Sequence, residues 1–420
     1  MEPVHADTPP RPRLRENPAF RWLWVGGTVS ELGTSGTQIA MPLLVLALTG
    51  SPAKAGLVGV VGSVAKTGTM LWGGVIADRH ERRRLMLACS LARGVASTAI
   101  VVGVALHAAP LGLLLAMTFA DAALLSISVS AESGLLADVV AAEDLAEAVT
   151  LDEGRFAAAA LAGPPLGGAL FGVARALPFA ADACSFAVRA LTLIRVPVGG
   201  APERAPARPG RSERPRALAS EALAGLRWIW RTPFLRAGAL LYSALNLTMA
   251  AVELLALLIL HRHHASSTAI GGAYAIVGVG GIASAVVANP LRRRLPMRAA
   301  VLMEPWVYTL LLPVLLVVDT PVTVGLVVAT MLLPMSLSTS VVIGQRLALA
   351  PPQMRGRVKA GGSFVAGSLS WAGPLAMGLL VQYAGVDAAV LSLTGWALAT
   401  AVAAALAPGF GLRPAPSGAQ

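Results

Sequence analysis

Residues 74–83 read GVIADRHERR and contain, from Asp78 onward, a short and mostly basic turn between two long apolar stretches. The apolar stretches on its two sides are residues 55–77 and 85–106. Each is as long as the roughly 20 residues with which a helix crosses the hydrocarbon core of a membrane. The same alternation of apolar stretches and short charged turns continues in both directions, and it predicts an all-α polytopic membrane protein.

The composition of the whole chain agrees with this interpretation. Of the 420 residues, 55% are hydrophobic and only 13% are charged, whereas a soluble domain carries about 25% charged residues. The mean hydropathy is +0.69. We therefore predict twelve transmembrane helices, with bounds near residues 22–48, 55–77, 85–106, 111–131, 152–173, 176–194, 236–260, 268–290, 298–318, 321–343, 360–384 and 386–408.

The basic residues indicate how the chain is oriented in the membrane. If the N-terminus is cytoplasmic, 26 of the 33 Lys and Arg residues lie on the cytoplasmic side. Only Lys54, Arg175 and Arg262 then lie on the opposite side. An excess of Lys and Arg in cytoplasmic loops is typical of membrane proteins, so both termini are predicted to be cytoplasmic.

The longest polar connection, residues 196–235, divides the predicted spans into two sets of six. It is rich in arginine and proline at first and becomes amphipathic toward its end, which predicts a cytoplasmic loop with an interfacial helix. The other predicted units are a cytoplasmic N-terminal arm, two six-helix halves and a cytoplasmic tail, at residues 1–21, 22–195, 236–408 and 409–420.

The two halves are similar to each other at an offset of 215 residues. A plan of two helical halves, with substrate bound between them near the membrane midplane, is typical of secondary transporters. Identical pairs at this offset include Pro18 and Pro233, Arg21 and Arg236, Gly56 and Gly271, and Arg79 and Arg294.

The basic stretch at residues 74–83 resembles the signature loop of the major facilitator superfamily, G-x-x-x-D-R-x-G-R-R, except that Glu81 stands where the family usually has glycine. In that family the loop holds the cytoplasmic side closed in the outward-facing state. The resemblance implies the major facilitator fold. A basic turn that only sets the topology is the alternative. The residues that would form this cytoplasmic gate are Gly74, Asp78, Arg79, Arg82 and Arg83.

Two glycine- and proline-containing stretches are similar to a second motif of the family. Residues 163–168, GPPLGG, resemble the C-terminal half of the antiporter motif, and residues 373–378, GPLAMG, match them in span eleven. Proline bends a helix and glycine lets two helices approach closely, so either a hinge or ordinary close packing is expected. The residues of this antiporter-type hinge are Gly163, Pro164, Gly167, Gly168, Gly373 and Pro374.

Four further stretches resemble a bacterial exporter subgroup that includes enterobactin-type siderophore exporters and macrolide-efflux proteins. They are residues 17–21 (NPAFR), 182–186 (DACSF), 225–233 (GLRWIWRTP) and 354–358 (MRGRV). The resemblance covers almost the whole chain. It implies a protein of the bacterial inner membrane that exports an antibiotic-like or other amphipathic compound. A siderophore exporter, an uptake symporter or uniporter, and a non-transporting membrane protein are the alternatives.

Ionisable groups inside predicted spans are costly and mark candidate functional sites. Glu31 lies in span one among polar residues, where a carboxyl group can take up and release the proton that drives an exporter. Asn246 in span seven aligns with Glu31 in the repeat. Glu31 could also be a structural partner or lie at the membrane edge.

Further charges lie in other spans. Lys66, Arg93 and Asp121 belong to spans two, three and four, and Glu253 lies in the outer half of span seven. The first three could form a network in which protonation of a carboxylate frees a cation for substrate, or they could be fixed ion pairs. Asp182, near the outer end of span six, suits a helix cap or a proton site.

Other charged side chains point to less demanding roles. Glu304 and Arg189 lie near cytoplasmic ends of spans, where long side chains reach the interface. The histidines at 261, 263 and 264 are too weak a cluster to predict a metal site. The chain has no phosphate-binding loop or hydrolase motif. We therefore expect no enzyme activity and no cofactor, with the proton gradient as the energy source. The expected partners are a small-molecule substrate and lipid, not nucleic acid, and the protein is expected to be a monomer.

Overall fold

The computed structural model describes residues 14–197, 226–351 and 354–407, and its regular elements are all helical over these ranges. The first half contains α1 (Pro18–Thr49), α2 (Pro52–Arg79), α3 (Arg82–Ala105), α4 (Leu111–Val139), α5 (Leu145–Val173) and α6 (Leu177–Arg195). The second half contains α7 (Pro233–Arg262), α8 (Ser267–Arg294), α9 (Met297–Leu311), α10 (Pro321–Leu332), α11 (Met335–Leu349), α12 (Arg355–Gly367) and α13 (Ala372–Leu406). Two 3₁₀ helices are also present, Leu14–Glu16 and Leu312–Leu316.

The chain is a multi-pass membrane protein. Ten helical segments of the described residues are long and apolar enough to cross a membrane, and the two parts of α2, bent by 53°, would be an eleventh if together they make one span. The last segment, Gly361–Leu406, is 46 residues long and breaks at Gly385, whose φ of 87° favours glycine. The predicted spans 360–384 and 386–408 both fall on this region, and the count of twelve remains a prediction.

Parts of the predicted organisation lie outside the described residues. These are most of the N-terminal arm, most of the central loop and nearly all of the tail. Of the interfacial helix predicted in that loop, residues 226–231 are described, and they are helical.

Polar caps and prolines set where several helices begin. The Asn17 side-chain oxygen accepts hydrogen bonds from the backbone N–H groups of Ala19 and Phe20, at 3.0 and 3.3 Å. Pro18 then occupies the first turn of α1, where a missing N–H costs nothing. The Asn17 amide also donates to the carbonyl oxygen of Val139 at 2.8 Å. This bond fixes the start of α1 against the end of α4.

Two helices extend well beyond the predicted spans. α4 continues to Val139 instead of ending at residue 131, and α5 begins at Leu145 instead of residue 152. Hydropathy identifies only the part of a helix that lies in apolar surroundings. The backbone hydrogen bonds of the same helix can continue beyond the membrane into polar surroundings, so the helix is longer than the predicted span. These extensions contain charged residues that lie outside the predicted spans, among them Glu132.

The helices pack as two bundles that share one interface. In the first half α1 packs against α5 and α6, α2 against α4, and α3 against α4 and α6. In the second half α7 packs against α13, and α8 packs against α10 and α11. The halves meet where α5 lies against α8 and α2 against α13.

The bundle has two ends, which we name by their connections. The closed end holds residues 50–51, 264–266 and 384–385, and the basic end holds residues 80–81 and 295–296. At the closed end Gly56 of α2 faces Pro374 of α13, and Gly271 of α8 faces Pro164 of α5. A Cβ on either glycine would overlap the backbone carbonyl of the facing proline. The two glycines aligned at the offset of 215 therefore make equivalent contacts between the halves.

Candidate functional site

A cavity of about 450 Å³ lies between the two halves. This volume is within the range of about 300–1,000 Å³ that is usual for small-molecule sites. Much of its wall is apolar, and its charged lining residues are Lys66, Asp121, Asp182 and Glu253. Helices of both halves supply the lining, so a bound molecule would contact both.

Three of the six predicted cavity residues, Lys66, Asp121 and Glu253, do line this cavity. Lys66 of the first half and Glu253 of the second are both exposed to it. The Tyr274 hydroxyl donates a hydrogen bond to the backbone carbonyl of Glu253 and so holds α8 against α7. The cavity therefore offers charges of both signs: Lys66, Asp121 and Asp182 belong to the first half, and Glu253 belongs to the second.

Arg93 does not line the cavity but is buried behind its wall, with 4% of its surface exposed. Its Nε lies 2.7 Å from Oδ1 of Asp121, and its Nη2 lies 3.3 Å from Oδ2. Nη2 also donates to the Thr34 hydroxyl at 3.1 Å. The guanidinium lies over the Phe186 ring, 4.4 Å from its centroid. In this state Arg93 and Asp121 form an ion pair between α3 and α4.

Asp182 borders the same cavity and is 3% exposed. Its Oδ2 accepts a hydrogen bond of 2.9 Å from the Ser97 hydroxyl of α3. Its Oδ1 has no hydrogen-bond partner within the part of the chain that the structure describes. Asp182 is not a cap, because α6 begins at Leu177 and has Ala176 as its N-cap residue.

Glu31 is half-buried and is not among the residues that line the cavity. Glu31 lies within the electric field of Arg93 behind the cavity wall. It also lies within the fields of Glu132, Arg155 and Arg189, which form a buried cluster in the first half. Glu31 thus lies between the cavity wall and a buried charge cluster, and its role as a proton carrier remains a prediction.

That buried cluster connects three helices near the basic end. Glu132 of α4 accepts from Arg155 of α5 at 3.2 Å and from Arg189 of α6 at 2.8 Å. Arg155 also pairs with Asp152 at 2.7 Å. Its guanidinium lies directly on Gly27 of α1, where any Cβ would overlap it. The expectation that Arg189 reaches the interface was wrong, because α6 directs it toward Glu132 inside the bundle.

Two residues of the second half also differ from expectation. The Asn246 side chain donates to the carbonyl oxygen of Ala366 at 3.0 Å and joins α7 to α12, away from the cavity lining. Glu304 is buried instead of reaching the interface. Its Oε1 accepts from the Tyr308 hydroxyl at 3.2 Å, and its Oε2 has no hydrogen-bond partner among the residues described.

The predicted gate loop lies at the basic end, and the contacts described for its arginines are with the first half. Arg82 lies 2.6 Å from Asp138 of α4 and 3.8 Å from Asp78. Arg83 donates to the carbonyl oxygen of Ile194 at 2.9 Å. The side chain of Asp78 is 77% exposed. In this state the loop is therefore bound to its own half.

The predicted hinge residues lie at close helix contacts. α5 continues as a helix through Pro164 and Pro165. Gly163 and Gly167 face Gly36 of α1, and Gly168 faces α8. In α13, Gly373 faces the backbone of α7. Close packing is thus present, and bending during a transport cycle remains a prediction.

Comparison with known proteins identifies the family. The family model described as the Major Facilitator Superfamily matches residues 23–372. The enterobactin exporter EntS of Citrobacter koseri is 28% identical over 284 residues, which are 66% of this chain and 65% of that protein. EntS of Escherichia coli O1:K1 / APEC is 27% identical over the same shares. The match therefore spans just under two thirds of these relatives.

Solved structures show the same fold at low sequence identity. A bacterial homologue of the iron transporter ferroportin, in an inward-facing state, has a TM-score of 0.70 at 18% identity and covers 96% of this chain and 100% of its own. The nucleoside transporter NupG has a TM-score of 0.72 at 11% identity, with 92% and 99% covered. A bacterial homologue of the lysosomal transporter Spinster, inward-facing and unoccupied, has a TM-score of 0.68 at 14% identity, with 93% and 95% covered.

Proposed function

The chain belongs to the Major Facilitator Superfamily, and on this basis we propose that it is a proton-coupled antiporter that exports an amphipathic small molecule. One observation carries the proposal. The cavity between the halves is largely apolar but presents Lys66, Asp121 and Glu253, and Asp121 is paired with the buried Arg93. Apolar walls suit an amphipathic molecule, and the ion pair gives a carboxylate whose partner can change when substrate or a proton arrives.

The proposed topology has twelve spans in two six-helix halves, with both termini in the cytoplasm and the basic end facing it. This assignment is supported by the excess of Lys and Arg at that end. The membrane is then the bacterial inner membrane. The closed end faces outward, so the described contacts at Gly56 and Gly271 belong to an inward-facing state.

Export would proceed by rocking of the halves about the cavity. Opening of the closed end separates α2 from α13 and α5 from α8. The gate loop, with Asp78, Arg79, Arg82 and Arg83, would then bind the second half and close the basic end. Close glycine contacts along α5 and α13 are where we propose that the helices bend.

For the substrate we propose an antibiotic-like or other drug-like amphipathic compound. A siderophore is the second candidate, and it is supported by the relatives that are named enterobactin exporters. In either case the protein works as a monomer without a cofactor, and the proton gradient, not a chemical reaction on the substrate, supplies the free energy.

Flux measurements in proteoliposomes test this function. The full chain is reconstituted, a pH gradient is imposed, and uptake or efflux is followed for a panel of antibiotics, dyes and siderophores. We expect at least one compound to move against the proton flow and to stop moving when an ionophore removes the gradient. Asp121→Asn should abolish this coupled flux, and Asp387→Asn, an exposed residue at the closed end, should keep it.

Each rival function predicts a different result. Flux that ignores the gradient would mean a uniporter, and flux in the same direction as protons would mean a symporter. A scaffold that does not transport would give no gradient-driven flux for any class of compound. These outcomes would overturn the antiporter while leaving the family assignment intact.

A further inference from the structure

We propose that Arg93 is a switch between two carboxyl groups, Asp121 and Asp182, and that the cavity therefore takes substrates that carry a positive charge. This inference rests on the proposed antiport, because it identifies the proton carrier and the substrate class of the same cavity. It assigns the proton to Asp182 of α6 in place of Glu31 of α1.

The first step of the argument is the charge balance at the cavity wall. Arg93 is a single buried cation next to two carboxyl groups, and both of these border the cavity. Its guanidinium is paired with Asp121, at 2.7 and 3.3 Å. The fields of Arg93 and Asp121 both act on Asp182. One guanidinium neutralises one carboxylate. Lys66, the other cation that lines the cavity, acts on Glu253 of the second half, so a charge on Asp182 has no cation of its own.

The second step concerns the hydrogen bonds of Asp182. Its Oδ2 accepts from the neutral Ser97 hydroxyl, and its Oδ1 has no partner over the described ranges. A carboxylate that is 3% exposed and bound only by a neutral donor has a high desolvation cost. We infer that Asp182 carries a proton while Arg93 is paired with Asp121, and that Oδ1 is the protonated oxygen.

The third step is the position of Arg93 between its two possible partners. Ser97, which binds Asp182, follows Arg93 by one helical turn on the same face of α3, and a turn rises about 5.4 Å. A change of side-chain rotamer can therefore carry the guanidinium from one carboxyl group to the other. Besides Asp121 and Asp182, the field of Glu31 of α1 acts on Arg93, and Glu31 is in turn within the field of Arg155 of α5.

The exchange can be written with all charges balanced. A cationic group enters the cavity and pairs with Asp121, whose side chain is 34% exposed. The Arg93 guanidinium leaves Asp121 and pairs with Asp182. The O–H bond of Asp182 breaks, and its proton passes to water in the cavity. One positive charge has entered and one proton has left, and no group is oxidised or reduced.

The direction of this exchange selects the charge of the substrate. An anion would pair with Arg93 and leave Asp121 unpaired, so Asp121 would take up a proton as the substrate bound. Substrate and proton would then be carried together, which is symport. Only a cation displaces a proton at this wall, so antiport through Arg93 requires a positively charged substrate.

Two ions of nearly identical shape and opposite charge test the proposal. Tetraphenylphosphonium or tetraphenylborate is added to the purified full chain in weakly buffered detergent, and binding and released protons are measured together. We expect about one proton released per bound phosphonium and none for the borate. By the same linkage, the Kd for the phosphonium should rise about tenfold for each unit of falling pH below the range in which Asp182 is ionised.

Variants of Asp182 test whether this residue is the one that releases the proton. Asp182→Asn should bind the phosphonium without releasing a proton and with an affinity that no longer depends on pH. Asp182→Glu should restore the release. The matched control is Glu304→Gln, because Glu304 is also a buried carboxyl group with an unpartnered oxygen but does not line the cavity. This control should release protons as the unchanged protein does.

Several results would overturn the switch. They are failure of the phosphonium to bind, binding without proton release, release triggered by the borate, or normal release in Asp182→Asn with loss of release in Glu31→Gln. If Asp182→Asn does not fold, Asp182→Glu and the pH slope of the unchanged protein decide the matter. Proton release without gradient-driven flux would refute the antiporter alone. Gradient-driven flux with normal release in Asp182→Asn would refute the switch alone.

Discussion

The Nη2 atom of Arg189 lies 2.8 Å from the Oε2 atom of Glu132, and this contact joins α6 to α4 in the interior of the first half. The other oxygen of Glu132 accepts from Arg155. One carboxylate therefore holds two guanidinium groups that would otherwise repel each other. Removal of its charge leaves Arg189 buried and poorly compensated, and leaves Arg155 with Asp152 as its remaining described ion-pair partner.

We expect Glu132→Gln to lower the free energy of unfolding by about 3–5 kcal/mol, as is usual when one member of a buried ion pair is removed. Asp387→Asn removes the exposed pair with Arg262 and should cost about 0–1 kcal/mol. Denaturant titration of both variants in detergent measures the difference. Equal losses would show that the buried cluster does not stabilise the fold.

The contact of Arg155 with Gly27 gives a second prediction. A methyl group at position 27 would overlap the buried guanidinium, so Gly27→Ala should destabilise the protein by about 1–3 kcal/mol. Gly281→Ala is the control, because a Cβ there would have no neighbour within 4 Å. Thermal unfolding compares the two. A loss in Gly281→Ala as large as that in Gly27→Ala would mean that loss of glycine, not overlap with Arg155, is responsible.

Two neighbouring glycines of α8 provide a matched pair of variants. Gly271 lies at a contact between the halves and Gly272 does not, so comparing them shows whether that contact matters or whether any glycine substitution has the same effect. Gly271→Ala should force α8 from α5, whereas a Cβ on Gly272 would meet no atom within 4 Å. Spin labels at Lys54 and His263, with Cys89 and Cys184 replaced by alanine, report the separation of the halves. The distance should lengthen in Gly271→Ala and stay unchanged in Gly272→Ala. A constant distance in both variants would contradict a role for Gly271 in closing this end.

Gln382 of α13 gives a further prediction at the closed end. Its side-chain oxygen accepts hydrogen bonds from the Ser51 hydroxyl at 2.6 Å and from the backbone N–H of Ala53 at 3.2 Å. We expect Gln382→Ala to open this end, and Gln382→Glu to keep it closed, because a carboxylate is also favoured at the N-terminus of α2. The same spin labels distinguish these outcomes. Opening in both variants would show that the hydrogen bonds from Ser51 and Ala53 to position 382 do not keep this end closed.

Replacement of Glu253 should affect substrate binding without affecting proton coupling. This residue lines the cavity from α7, in the other half from Arg93. Glu253→Gln should weaken tetraphenylphosphonium binding by several-fold, which is about 1 kcal/mol, and leave the number of protons released per bound cation unchanged. Calorimetry in two buffers of different ionisation enthalpy gives both quantities. A change in that number would place Glu253 in the coupling step.

Hydropathy and motifs predicted the family and the α-helical spans, because apolar stretches and signature residues are local features of the chain. They did not predict Glu132, since helix α4 continues past the apolar stretch that was used to define span four. Nor did they place Glu304, whose burial depends on how α9 packs against its neighbours.

The cavity was predictable only in part. Lys66, Asp121 and Glu253 were predicted to be cavity residues because they are ionisable and lie inside predicted spans, and all three border the cavity. The relation of Asp182 to Arg93 was not predictable, because it depends on the packing of α6 against α3, and a single sequence carries no information on that packing. Its position near a span end suited either a cap or a proton site, and the structure excludes the cap because Asp182 lies inside α6 and is buried in the bundle.

The closed end has a consequence for how the protein responds to its surroundings. The described contacts between the halves there join uncharged groups: glycine with proline, and Ser51 and Ala53 with Gln382. Dissolved ions screen charges over about 8 Å at physiological ionic strength and act far less on contacts of this kind. If this end faces the medium, as we propose, the contacts that hold it closed should keep their strength when the salt concentration outside the cell changes.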